Sequence, residues 1–214
     1  MRPNQFPVEG REIPVLLTPA SVLGYWFGES PATSATDPAC ARRWWSKQDE
    51  VDQDIRDRFG AAVQQAAAGD LDAWAETGEG RLALIVLLDQ FPRNMHRGTP
   101  AAFAHDALAR QHTLQGLEHG QFATLLPVQK TFAYLPLEHA EDLALQDRSV
   151  DLFRALSTEA PTSQTAVFDN YLGFAERHRE VIRRFGRFPH RNAILGREST
   201  PEETAFLLTP GSSF

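Results

Sequence analysis

Apolar residues recur at helical spacing along most of this chain, and no stretch alternates with period two for long enough to form a strand. That pattern excludes a sheet and calls for helices. The longest example lies in KQDEVDQDIRDRFGAAVQQAAAG, beginning at about Ser46. There Val51, Ile55, Phe59 and Val63 stand four apart, and Gly69 can end the helix. Thr18-Pro19 and Thr99-Pro100 each place an N-cap before proline at the first helical position. The second should start a helix running to about His119. Pro127 opens a short helix, Leu137 to about Leu156 a longer one, and Ser163 to Phe185 one longer still. Thr200-Pro201-Glu202-Glu203 adds a capping box before a last short helix. The expected fold is all-α, with antiparallel helical hairpins joined by short links. Residues 1–17, with three prolines and little periodicity, read as an N-terminal arm, and residues 18–214 as a single domain. Within that domain SPATSATDP, from Ser30, reads as a polar loop.

The formal charge of -7 disfavours a nucleic-acid partner, whose phosphates call for a basic surface. Cys40 is the single cysteine, so no intrachain disulfide can form, and it reads as an inert thiol. The longest unbroken apolar run, Leu82 to Leu88, is far short of the roughly 20 residues of a membrane span. The first residues do not read as a signal peptide, so a cytoplasmic protein is expected. Apolar faces on surface helices allow a homodimer.

No cofactor motif survives inspection. Gly78-Glu79-Gly80-Arg81-Leu82-Ala83 fits a dinucleotide-binding pattern, but that glycine turn works only after a strand, and WAET before it is not one. Lys47 and Lys130 are the only lysines, and neither follows the glycines of a phosphate-binding loop. His105, His112 and His119 share a helix face at intervals of seven, which puts successive members roughly 10 Å apart, too far to share a metal ion. No metal or cofactor is therefore assigned.

Two segments break the pattern of plain helices. LALIVLLDQFPRNMHRG starts at Leu82 and RRFGRFPHRNAILGR at Arg183. Proline pushes its predecessor out of the α region and is tolerated at helix starts, so Phe91-Pro92 and Phe188-Pro189 should each end one helix and begin another turn. The turn would offer free N–H groups to an anion, reinforced by Arg93, Asn94 and Arg97 at one corner and by His190, Arg191, Asn192 and Arg197 at the other. Between them LPLEHAEDLALQ, from Leu135, reads as a helix on which Glu138 and Asp142 share a face, with Glu141 adjacent, and His139, Asp142 and Gln146 form a neighbouring stripe. Such crowded carboxylates need cations, and the corner arginines are the natural ones. Two readings stand side by side: a structural lock of ion pairs, or the lining of a pocket for a small anionic or polar molecule.

The segments VLGYWFGE, RWWSKQDEVDQDI, LALIVLLDQFPRN, YLPLEHAEDLALQ, FGRFPHRNAILGR and STPEETAFL, in this order over about residues 20 to 208, resemble a bacterial family known as domain of unknown function 924. The resemblance implies an all-α fold related to tetratricopeptide-like helical hairpins, and no established activity. Met95-His96 departs from the aliphatic-aromatic pair common in that family, and Val51 from its usual Phe.

The first functional expectation is a small-molecule binding protein with acid/base chemistry. His139 and His178 are the acid/base candidates, with Glu138 and Asp142 to orient them and favour their charged form. Arg93, Arg191 and Arg197 would hold an anionic group, with Asp89, Gln90, Asn94, Arg97, Glu141, Gln146, Arg187, His190 and Asn192 completing the lining. A helical-repeat module holding a peptide is the alternative, although no 34-residue consensus repeats along the chain. Trp26, Trp44, Trp45 and Trp74 read as core residues.

Overall fold

A computed structural model describes residues 17 to 213, and among these no strand occurs. All but the last residue of the expected N-terminal arm lies outside the described residues. Helix α1 (Pro19–Phe27) begins at a capping box closed by Thr18 and Ser21. The segment read as a polar loop contains a 3-10 helix, Pro31–Thr36, and leads into α2 (Pro38–Trp45), capped by Asp37. Helix α3 (Asp49–Ala68) ends at Gly69 in the left-handed conformation, φ 85°. Its buried residues are Asp52, Ile55, Phe59, Ala62, Val63 and Ala66. The inward stripe therefore starts at Asp52 rather than Val51, and it carries a carboxylate into the core.

Helix α4 (Gly78–Ile85) continues through a π-helical turn, Val86–Gln90, into α5 (Phe91–Met95). Every residue from Leu82 to Asp89 is 0 % exposed, as expected of a helix apolar all round and surrounded by neighbours. Gly78 and Gly80 are there for close packing. A Cβ on Gly78 would meet the Gln121 carbonyl oxygen at 2.1 Å, and one on Gly80 the Trp74 carbonyl oxygen at 2.0 Å.

The rest of the chain is α6 (Asp106–Glu118), α7 (Pro127–Glu138), α8 (Leu143–Glu159), α9 (Thr165–Phe185) and α10 (Pro201–Leu207). The expected helix from Thr99 is split, with a 3-10 turn at Pro100–Phe103 ahead of α6. Helix α8 packs against both α7 and α9 across short links, which makes these consecutive pairs antiparallel. The main core centres on Trp26, Phe27, Phe91 and Phe132, each no more than 1 % exposed, in edge-to-face contact. A small second cluster, Val181, Ile182 and Phe188 with Phe185 and Phe206, stands apart from it and anchors the C-terminal segment. Among the described residues no helix is long and apolar enough to cross a membrane.

Candidate functional site

A cavity of about 680 Å³ lies between α2, the π turn with α5, α7, α9 and the turn at 189–194. Gln90, Arg93, Asn94, Arg97, Glu138, His139, His178, His190 and Arg191 form its polar wall. Trp44, Trp45, Phe153, Tyr171, Phe174 and Ile194 line the other side.

The π turn positions the first polar group. In a regular α-helix Pro92 would lack a hydrogen bond and its ring would collide with the carbonyl of Leu88. Here the Phe91 N–H donates to the Val86 carbonyl, five residues back, and the widened turn accommodates the ring. Phe91 keeps helical angles, φ -63° and ψ -40°. The Phe91-Pro92 corner thus does not end the helix, and the expected anion-binding row of N–H groups does not form there. Within the wide turn Asp89 is fully buried. Gln90 Nε2 donates to its Oδ2, and Arg93 Nη1 stands 3.1 Å from its Oδ1. Arg93 also grips Asp106 with both Nη atoms, at 2.8 and 3.0 Å. It is a clamp between two carboxylates.

His139 Nδ1 stands 2.8 Å from Asp89 Oδ1. Burial pushes the Asp89 carboxyl up, but Arg93 and His139 outweigh it and hold the group well below the usual carboxylate range. The Asp89 oxygen is therefore an acceptor, Nδ1 carries the proton, and Nε2 is the basic nitrogen of the ring. Burial, with Arg93, lowers the His139 value despite Asp89. His178 Nδ1 lies 2.9 Å from the Phe174 carbonyl and 3.1 Å from Glu138 Oε1. Burial drives His178 down to about 3, and burial with the Asp89 charge drives Glu138 up to about 8. Asp89 and Glu138 stand at the Nδ1 atoms of His139 and His178, and Asp142 reaches neither ring; the two carboxyl groups do not keep the rings charged, because desolvation prevails. At neutral pH both rings and Glu138 are uncharged.

LPLEHAEDLALQ is not one helix. Helix α7 stops at Glu138, and Gln146 Nε2 reaches back from α8 to the carbonyls of Glu138 (2.6 Å) and Ala140 (2.8 Å). Asp142 is the N-cap of α8, accepting the Leu145 N–H at 3.0 Å, and is exposed. It shares no face with Glu138 and does not line the cavity. Gln146 is buried behind it.

Most of the arginines are held by partners other than those expected. Arg97 binds Asp52 with two nitrogens, and Asn94 Nδ2 donates to the same carboxylate at 2.9 Å. Arg197 pairs with Glu141 at 2.6 and 2.9 Å and donates to Asn192 Oδ1. Arg187 pairs with Glu203, which Asn192 also touches. Phe188-Pro189 does turn the chain, φ -88° and ψ 107° at Phe188, yet the Phe188 N–H is already taken by Glu141 Oε1 at 2.8 Å. Arg187, Glu141, Asn192 and Arg197 fasten this turn and do not line the cavity.

Arg191 differs from the others. Its side chain is 8 % exposed, and its Cζ sits 4.8 Å from the Phe103 ring centroid and 4.4 Å from that of Phe188. Nη1 donates to the His139 carbonyl at 3.1 Å, the Asp106 carboxylate stands off at 3.7 Å, and the buried Nε has no partner. Burial lowers its value to about 10, which leaves it charged at neutral pH. Of the guanidinium's five N–H groups, one has an acceptor within ordinary reach.

Several site groups had no clear mark in the sequence. Asp106, which holds Arg93 and faces Arg191 at 3.7 Å, stands next to His105, the first of the histidines at intervals of seven. Among the described residues no group of three or more His, Cys, Asp or Glu side chains is arranged to hold a metal ion, those histidines included. Asp52 carried a usable signal, a carboxylate at the head of an apolar stripe. Trp45, read as core, is 49 % exposed and lines the cavity, as does Phe174, 40 % exposed. Cys40 is buried, and burial raises its thiol, as befits an inert group.

Comparison with known proteins places this geometry in a family context. A family model described as "bacterial protein of unknown function (DUF924)" matches residues 22–211. A solved structure of a protein of unknown function from Agrobacterium tumefaciens is 39% identical, with a TM-score of 0.75. The match covers 89% of this chain and 96% of that one. No curated protein matches.

Proposed function

This chain belongs to the DUF924 family of bacterial proteins, and on that premise we propose that its cavity binds a small polar or anionic molecule and performs acid/base chemistry on it. The supporting observation is the buried Asp89 carboxylate 2.8 Å from His139 Nδ1, which fixes the ring with Nε2 as the basic nitrogen on a cavity-lining side chain. His139 acts as the base: Nε2 takes a proton from the bound molecule or from water, and Asp89 stabilises the imidazolium that results. Glu138, neutral and beside His178, is the proton donor. Arg191, with donors to spare, anchors the ligand's polar or anionic end.

The structural-lock reading applies to a different subset. Arg97, Arg187 and Arg197 each have a close carboxylate, and Arg93 has two, so Arg93 and Arg97 fix the cavity wall, Arg187 and Arg197 fasten the turn behind it, and none contributes a free donor pair to a ligand.

The test is the thermal unfolding midpoint of the wild type and of Arg191→Gln across a panel of carboxylated and phosphorylated metabolites. A ligand at a hundred times its Kd stabilises the folded state by about 2.7 kcal/mol, enough for a shift of several degrees. At least one compound should produce it with the wild type and not with the variant. If the whole panel leaves the wild type unmoved, the binding role is wrong.

A further inference from the structure

The cavity wall carries one cation without a close carboxylate. Arg93 is held by Asp89 and Asp106 and Arg97 by Asp52, Arg191 has its carboxylate no nearer than 3.7 Å, and Glu138 and the histidines are neutral at pH 7. A phosphate dianion would bring a second negative charge with no cation to meet it. A single carboxylate needs only Arg191, whose contact with Asp106 is long and whose Nε has no partner. A lone charged group would also leave the other half of the cavity unused. Trp45 and Phe174 are about half exposed there, although aromatic surface is normally covered. Trp45 is held in place by stacking on Phe132, 5.6 Å between centroids and 13° between planes, and by Tyr171 at 5.7 Å. A rigid indole beside an open hollow is a platform for another flat ring. The volume of about 680 Å³ lies inside the roughly 300–1,000 Å³ range of small-molecule sites.

We propose that the occupant is an aromatic monocarboxylate, with its carboxylate on Arg191 and its ring against Trp45 and Phe174. This rests on the binding role proposed above for the same cavity and narrows the ligand's chemistry.

Calorimetric titration with phenylacetate, indole-3-acetate, acetate, benzyl alcohol and inorganic phosphate tests the assignment on the wild type, Trp45→Ala and Phe174→Ala. Circular dichroism first checks that each variant is folded, since Trp45 also packs on Phe132 and Tyr171. An aromatic acid should bind at least about tenfold more tightly than acetate or benzyl alcohol, because charge and ring each contribute. Each variant should weaken the aromatic acid about three- to tenfold and leave acetate unchanged. Equal binding of acetate and the aromatic acids, or variants without effect, overturns the assignment. Phosphate binding without aromatic-acid binding overturns it too, yet leaves an anion site at Arg191. If no probe binds while the metabolite panel still shifts the wild type, the ligand class alone is wrong; if neither gives a signal, the binding role falls with it.

Discussion

Glu138 Oε1 lies 3.1 Å from His178 Nδ1, both side chains more than nine-tenths buried, and the pair is nonetheless uncharged at neutral pH. This dictates how stability depends on pH. Glu138 has a folded value near 8 against an ordinary 4.5, so its contribution is complete below 4.5 and is lost as pH rises through 8. His178, folded near 3 against 6.5, does the reverse: its contribution is complete above 6.5 and is lost as pH falls through 3. Between pH 6.5 and 8 only the Glu138 slope acts of these two, at up to about 1.4 kcal/mol per pH unit. Urea unfolding should show the wild type losing about 2 kcal/mol over that interval and Glu138→Gln staying level. A level wild-type profile would mean that Glu138 is ionised in the folded protein.

Asp89 supports both His139 and Arg93 from a fully buried position. Asp89→Asn leaves Arg93 paired with Asp106 alone and replaces the acceptor-only carboxylate at His139 Nδ1 by an amide that can either accept from that nitrogen or donate to it, so the tautomer is no longer fixed. The expected loss is about 3–5 kcal/mol, that of breaking a buried pair. Nitrogen NMR of the His139 ring should find the proton on Nδ1 in the wild type and a mixture of tautomers in the variant. Unchanged tautomers would show that Asp89 does not set the ring.

Asp52 and Arg97 form a partly exposed pair, the arginine side chain 34% accessible, so its worth is modest. A double-mutant cycle with Asp52→Ala and Arg97→Ala should return a coupling of about 1 kcal/mol. A coupling near zero would mean that solvent screens the pair completely. Asp52→Ala alone should cost more, about 1–3 kcal/mol, because it also removes the acceptor of the buried Asn94 amide.

Gly80 packs directly against the backbone of Trp74, where no side-chain rotation can relieve a methyl group. Gly80→Ala should cost about 1–3 kcal/mol or more by overpacking. Gly60→Ala, in the open on α3, should stabilise slightly, by about 0.5–1 kcal/mol. Thermal melts of the two variants decide it: a Gly80→Ala protein as stable as the wild type would remove close packing as the reason for the glycine.

Most of the helices were legible because they are marked locally, whereas α2 (Pro38–Trp45), which starts within the segment read as a polar loop, was not. The Thr18 and Thr200 caps, the Gly69 stop and the all-apolar run from Leu82 need nothing from elsewhere in the chain. The π turn was not legible, since a widened turn leaves the same residues in the same order, and Pro92 looked like a terminator. The break at His139 was missed for a related reason. LPLEHAEDLALQ has helical periodicity throughout, and only Gln146 reaching back to Glu138 and Ala140 shows where the chain bends. Pairings across the chain were the hardest. Arg93 had three nearby candidates in Glu138, Glu141 and Asp142, but its carboxylates are Asp89, one turn back, and Asp106, on the neighbouring helix. Composition located the polar groups, and tertiary packing chose their partners.

The small second cluster around Ile182 and Phe188 has a consequence for access. The turn that carries Arg191 is fastened to the domain by this small apolar cluster and by the Arg197–Glu141 pair, so the free energy needed to detach it is lower than that of unfolding the main core. Amide protons from Phe188 to Leu207 should then exchange as one unit, ahead of those between Leu82 and Leu88. In that opened form Arg191 leaves its place beside His139 while the Asp89–His139 pair stays intact, and one wall of the cavity becomes its door.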